Sequence, residues 1–422
     1  MTTRSTRCSQ GTLSRLNKPQ TVGLAGAIAI GLASMLGAGV FSVFGVAYAK
    51  SNSGFFLALL LAATVAALNA TSVYALASRI DRPGGIYSYS RVYVGPSTSF
   101  VSGFAFVLGK IGSIAAIAWI FGQYVLPEDH YLDAIGAIIV LALLNILGIN
   151  RTATVAAVIA VVVTVFLLAT GLMGVSVSLS VPSLPNADGL SGVLPAASLL
   201  FFAFAGYARV ATLGTEVRDP KVNIPRAIAI SLGLVLAIYL LLSFALIRLA
   251  GGNLANLDQP VAGLARVVFT WMPIEVIFAI ETIAVLGSML ALLAGVSRTA
   301  ATMAEDRELP GFLARRNRFG SPWVAELLIA LGAISMFVFN DYLQWIIGFS
   351  SFSVLLYYAI GHVSVLRISR EELGGLAAVA WPGLALCLLL VFSVPGPAVW
   401  VSLLILTVAV AVRWVVIRFR AS

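Results

Sequence analysis

Apolar stretches of roughly 17–25 residues, each long enough to cross a bilayer core as a helix, recur from one end of the chain to the other. Twelve are separable, at 22–48, 54–78, 98–126, 131–149, 153–180, 193–214, 227–250, 274–303, 323–339, 342–364, 376–393 and 397–417. The polar segments between them are mostly short, which leaves no room for a sizeable soluble domain. The pattern predicts an all-α integral membrane protein of twelve transmembrane helices, preceded by a polar tail at 1–21.

Two of the twelve runs are interrupted near their middles. Span 1 breaks at Ser34-Met35-Leu36-Gly37-Ala38-Gly39-Val40-Phe41, and span 6 at Phe202-Ala203-Phe204-Ala205-Gly206-Tyr207, ahead of Glu216-Val217-Arg218-Asp219-Pro220. A helix that unwinds inside lipid leaves N–H and C=O groups that hydrocarbon cannot satisfy, so such a break must face protein, water or a ligand. Breaks at corresponding places in two half-molecules point to a transporter's substrate site. The competing reading is that these glycines only let helices pack closely. The matched positions favour a site.

Composition agrees. Hydrophobic residues make up 60% of the 422 and charged residues only 10%, against about a quarter charged in soluble domains. The net charge of +9 records topology and does not call for a nucleic-acid partner. With the N-terminus placed in the cytoplasm, 21 of the 26 Lys and Arg fall on that side. Three are external (Lys50, Arg248, Arg266) and two lie within the membrane (Lys110, Arg209). Cationic residues are retained on the cytoplasmic side during insertion, so both termini are expected there, in a multi-pass protein of the cytoplasmic membrane. The acidic turn Glu128-Asp129-His130 fits the external side. The first apolar run is too long for a cleaved signal and reads as a retained helix. Cys8 falls in the tail and Cys387 in a span, so no disulfide is expected.

The two breaks are entered from opposite sides, as an inverted duplication with five spans per copy requires. This divides the chain into a first repeat at 22–180, a second at 193–364 and a C-terminal pair of helices within 376–422. At this point Ser34–Phe41 resembles the glycine-rich signature in the first helix of amino acid–polyamine–organocation (APC) superfamily transporters, of amino acid permease type. Three further segments agree in order: Arg82-Pro83-Gly84-Gly85-Ile86-Tyr87, Phe202–Arg226 with Ile224-Pro225-Arg226, and Ser297-Arg298 through Glu308-Leu309-Pro310. Asn145 and Gly148 fit as well. The resemblance implies the LeuT-like, or APC, fold: a 5+5 inverted repeat with discontinuous helices 1 and 6, plus two extra C-terminal helices.

Unwound N–H groups and the start of a following half-helix carry partial positive charge; unwound carbonyls and the end of a preceding one carry partial negative charge. One break can therefore grip both ends of a zwitterionic amino acid without an ionised side chain. The amides of Gly37, Ala38 and Gly39 are the expected carboxylate donors, and carbonyls near Met35, Phe202 and Ala205 the expected ammonium acceptors. Glycine suits such a turn, here Gly206 in span 6, because it has no Cβ to block a ligand. Phe202 and Tyr207 are candidates to cover the substrate, Phe202 as a gate, against plain core packing. Many members of the resembled superfamily carry Ser where this chain has Ala38, and an acidic residue where it has Ala208.

Charges inside a bilayer are costly unless paired or wetted. At about 1.5 Å per residue, Lys110 lies roughly 18 Å from one end of span 3 and Glu281 roughly 11 Å from the opposite end of span 8. Those depths nearly coincide, and the resembled fold makes spans 3 and 8 neighbours. A Lys110–Glu281 pair is expected, either as a static salt bridge or as a proton-coupling element. Arg209 snorkels, pairs with Glu216 or reaches substrate. Some relatives carry a lysine in span 5, where this chain has Val163 and Thr164; Ser288 is a weak sodium-site candidate. Charges around Gly84-Gly85 and Pro220/Pro225 are expected to be mostly solvated, with the two prolines framing a short connection.

Function classes separate on these features. A membrane enzyme needs a cluster of His, Cys or carboxylates, but the only histidines, His130 and His362, fall near opposite faces and no metal-spaced set exists, so no cofactor is expected. A channel needs a repeated pore lining or charged ring. The remaining class is a secondary transporter working by alternating access, coupled to a proton or counter-substrate, as a monomer or homodimer in lipid. A neutral amino acid is the first-choice substrate; polyamine or cationic amino acid exchange or export is the alternative.

Overall fold

The structure is a computed structural model that describes residues 22–37, 39–80, 82, 84–125, 130–148, 153–177, 190–207, 210, 217–251, 254, 257, 259–339, 343–394 and 396–421. The tail with Cys8, the Glu128-Asp129 turn, Ala38, and Ala208, Arg209 and Glu216 lie outside the described residues.

Span 1 is two helices, α1 (Leu24–Met35) and α2 (Gly39–Ser51). They are followed by α3 (Phe55–Ala77), α4 (Ile86–Tyr93), α5 (Pro96–Val125), α6 (His130–Ile146), α7 (Ala153–Ser176) and α8 (Val193–Phe204), the last ending in a 3₁₀ turn at Ala205–Tyr207. Then come α9 (Pro220–Ala250), α10 (Pro260–Val268), α11 (Ile274–Glu305), α12 (Trp323–Ser335) and α13 (Leu343–Leu366). The chain closes with α14 (Arg370–Leu373), α15 (Ala377–Ser393) and α16 (Ala398–Ala421). Among the described residues nine helical stretches are long and apolar enough to cross a membrane, and shorter apolar helices lie at His130–Ile146, Val193–Tyr207 and Trp323–Val338. These places coincide with the apolar runs of the sequence.

Local chemistry sets the helix ends. Pro220 and Pro260 occupy first-turn positions, where a missing N–H costs nothing because that group has no intrahelical partner. Pro220 starts α9 and Pro225 lies within it, so the two prolines do not frame a connection; the helix begins nearly two turns before the apolar run at 227. The Gly84-Gly85 pair takes φ of +109° and +61°, a turn that non-glycine residues resist. It delivers the Ile86 amide to the Tyr357 hydroxyl at 3.0 Å. The nine-residue α10 lies in a stretch read from sequence as loop, burying Val261, Ala262, Leu264, Ala265 and Val268 against α7 and α2.

Packing groups many of the helices into two sets, which α13 joins through its contacts with α3 and α8. In one, α2 and α3 pack on α8, and α9 packs on α1 and α3. In the other, α5 packs on α13, α11 and α6, and α11 on α12. Spans 3 and 8 are thus neighbours, as expected. Lipid offers no hydrophobic drive between helices, so close van der Waals contact must hold them. Ala58, Ala62, Ala66, Ala196 and Ala197 are fully buried along the α3 and α8 contact region. Helix α13 is central, with 89% of its apolar window buried, against 11% for α16 at the periphery.

Candidate functional site

The break in span 1 opens where α1 stops. Leu36 closes the last turn through its amide to the Leu32 carbonyl at 2.7 Å, and α2 restarts at Gly39. In span 6, the Ala205 amide returns to Phe202 and the chain tightens into the 3₁₀ turn. The interruption expected in span 1 is present; in span 6 the α-helix ends at Phe204, inside the expected break, and most residues from 208 to 216 lie outside the described residues. The two helix ends also touch. A Cβ on Gly206 would overlap the Ser34 carbonyl, and one on Gly39 would overlap the backbone of Ala203. A Cβ on Gly37 would strike Ser288 of α11. The absence of a side chain at three positions lets two backbones and a third helix converge. Outside the breaks, Arg218 donates its amide to the Val22 carbonyl at 2.9 Å, tying the entry to α1 to the segment ahead of α9.

A small cavity of about 20 Å³ lies at this crossing, room for about one water. Ser34, Met35, Gly39, Phe202, Ala205 and Gly206 line it from the two broken spans; Lys110, Ser113 and Ile117 from α5; Ser288 and Leu292 from α11. It sits where the two helix sets meet. Of the expected substrate-contact residues, Gly37 and Tyr207 are not in this lining; Tyr207 is buried with its ring stacked 5.4 Å from Tyr358 of α13. Ser288 lines the cavity but donates its hydroxyl to Val285 of its own helix at 2.8 Å.

Carbonyls freed at the breaks have named donors. Tyr239 of α9 directs its hydroxyl to the Met35 carbonyl at 2.8 Å and to the Ala203 carbonyl at 3.1 Å. One O–H thus serves the C-terminal ends of both half-helices. Lys110 donates to the Ala205 carbonyl at 3.3 Å, and its ammonium lies 5.9 Å from the centre of the Phe106 ring. A cation at the C-terminal end of α8 is favoured by the helix dipole. This differs from the expected Lys110–Glu281 pair, which is not among the ion pairs of the described residues. Glu281 is buried in α11. The two residues sit on neighbouring helices, α5 and α11, but the lysine meets the span 6 carbonyl. Tyr239, Ser113 and Leu292 were not anticipated; a single tyrosine or serine in an apolar run carries no signal of which neighbour it meets.

A second buried polar cluster joins α3, α13 and α15. His362 bonds Ser72 through Nδ1 and Asn69 through Nε2, both at 2.7 Å, and Cys387 donates to the Asn69 oxygen at 3.1 Å. Because the Asn69 oxygen only accepts, Nε2 carries the proton and Nδ1 receives the Ser72 hydroxyl. At one end of the bundle, Glu308 takes Arg91 at 2.7 Å and both Nε and Nη2 of Arg413, at 2.6 and 3.2 Å. Tyr87 donates to Asp306 at 2.8 Å. Arg91 follows the Gly84-Gly85 turn and is thus held in an ion cluster, not solvated. Burial alone would raise the Glu308 pKa, but the hydrogen bonds and charges of Arg413 and Arg91 hold it below the ordinary carboxylate range.

A bundle of long apolar helices with two touching interruptions is the architecture of a multi-pass membrane protein. Residues 22–417 match the amino acid permease family. The chain belongs to that family, within the APC superfamily. An uncharacterised transporter of Mycobacterium bovis is 40% identical over 396 residues, covering 92% of this chain and 90% of its own. The inner membrane transport protein YbaT of Escherichia coli is 24% identical, over 84% of this chain and 85% of its own. The vacuolar cationic amino acid transporter 2 of Arabidopsis thaliana is 27% identical over 80% of this chain, which spans 58% of that protein.

Proposed function

We propose that the chain is a secondary active transporter that moves a neutral amino acid across the cytoplasmic membrane by alternating access. The substrate backbone binds between the breaks of spans 1 and 6, in a twelve-span, inverted-repeat fold with both termini inside. The observation that carries this reading is the meeting of two helix ends, the bend at 36–37 and the 3₁₀ turn at 205–207, at a small cavity between two helix sets. The carboxylate takes the first-turn amides of α2, where the helix dipole is positive. The ammonium takes carbonyls at the ends of α1 and α8. The cavity is smaller than an amino acid, so entry requires the set containing α1, α2, α8 and α9 to part from the set containing α5, α11 and α13. Such movement of one bundle against another is the physical content of alternating access.

Cationic substrates are the second reading, because a relative is named a cationic amino acid transporter. Lys110 supports the first: it is the charged side chain in the cavity lining among the described residues, and a second cation beside it is repelled. Counterflow in proteoliposomes tests the proposal. Preloaded unlabelled neutral amino acid should accelerate entry of the labelled one, with saturation. Accelerated exchange of arginine or a polyamine alone would favour the second reading; unsaturable flux would indicate a channel.

A further inference from the structure

We propose that Lys110 is a built-in competitor for the substrate's ammonium: its own ammonium occupies the Ala205 carbonyl, and substrate must displace it to bind. The inference rests on the reading of the breaks as the substrate site. Lys110 is 3% exposed. Its hydrogen-bond acceptor among the described residues is a single carbonyl at 3.3 Å, a long contact for a charged donor. That carbonyl belongs to the turn where span 6 unwinds, and it is an acceptor an amino acid's ammonium needs. Two ammonium groups cannot share one carbonyl in a dry cavity, because like charges at such separation repel strongly at low dielectric. The cavity leaves room for about one water beside the lysine, so the butylammonium chain fills the place the ligand would take.

Displacement has a short path. Phe106 lies one helical turn earlier on α5, with its ring centre 5.9 Å from the ammonium. The ammonium already lies over that face, a cation–π contact that holds the charge when the carbonyl is given up. Lys110 thereby touches two stations at once, the span 6 carbonyl and the Phe106 ring, and substrate displaces it from the first. A ligand's apparent affinity falls by the fraction of molecules in which the competent state is absent, so removing the tethered ammonium should tighten binding.

The test uses purified full-length protein in lipid nanodiscs and equilibrium binding of alanine, leucine and phenylalanine. Each is paired with the acid that lacks its amino group: propionate, 4-methylpentanoate and 3-phenylpropionate. Lys110→Met should bind the amino acids about tenfold more tightly, the equivalent of one hydrogen bond to a charged group. The des-amino acids should gain nothing, since they leave the Ala205 carbonyl to the lysine. Lys110→Arg, which keeps the charge, should retain wild-type or weaker affinity. Should Lys110→Met fail to fold, Phe106→Leu removes the second station and should weaken amino acid binding without weakening the acids. Equal or weaker amino acid binding by Lys110→Met, or an equal gain for the des-amino acids, overturns the proposal. Wild-type protein that binds none of the three amino acids overturns the site reading itself, and this inference with it.

Discussion

The helix breaks and the His362 cluster are both buried polar regions, yet they are satisfied in opposite ways. Around His362, four side chains from three helices exchange hydrogen bonds at 2.7–3.1 Å, and the ring is fully buried. Buried networks of fixed side chains rigidify a structure, although Nδ2 of Asn69 is left without a hydrogen-bond partner among the described residues. At the breaks, backbone carbonyls depend on one shared tyrosine hydroxyl and one long lysine contact. A ligand can replace donors of that kind. The contrast teaches that burial and polarity alone do not mark a transport site; what marks it is backbone held by exchangeable partners.

The largest effect is expected from Gly206→Ala. Its Cβ would meet the Ser34 carbonyl, an obstacle that cannot rotate away. Overpacking costs about 1–3 kcal/mol against yielding neighbours and more against backbone. Flux per folded molecule in proteoliposomes should fall by about 100-fold; wild-type flux would show that the two breaks do not touch. Next is His362→Leu, which strips the ring nitrogens from Ser72 and Asn69. It should lower unfolding stability by about 2–3 kcal/mol while leaving the rank order of bound amino acids unchanged. A change of substrate preference would place the cluster in the site.

Tyr239→Phe sharpens the contrast from the other side. It removes the donor shared by Met35 and Ala203, so ligand-free protein should lose about 1–2 kcal/mol of stability. Saturating amino acid should recover much of that loss, because the ligand's ammonium can supply the missing donor. Loss that ligand does not restore would make Tyr239 structural, like His362. The smallest effect is expected at Glu308, far from both regions. Its folded pKa is depressed, so its contribution is present above the ordinary carboxylate range and disappears as pH falls through the depressed value. Thermal scans should show wild type losing its margin over Glu308→Gln on acidification. A margin that persists below that range, or grows there, would contradict the ion cluster.

Much of this protein is written along the chain. Helix positions were legible because lipid demands unbroken apolar runs, and the two interruptions stood out because only there does the run give way to glycine. Even so, α10 escaped notice, since nine residues that lie against α7 and α2 leave no membrane-length signature. Pro220 and Pro225 read as punctuation, and the fold placed both inside α9. Counting residues gives Lys110 an expected height along α5, because a helix rises a fixed distance per residue. Only tertiary packing decided that it meets the Ala205 carbonyl, and that Tyr239 spans both half-helices. Height follows from counting residues, whereas which neighbour a side chain faces depends on how each helix is rotated against the others.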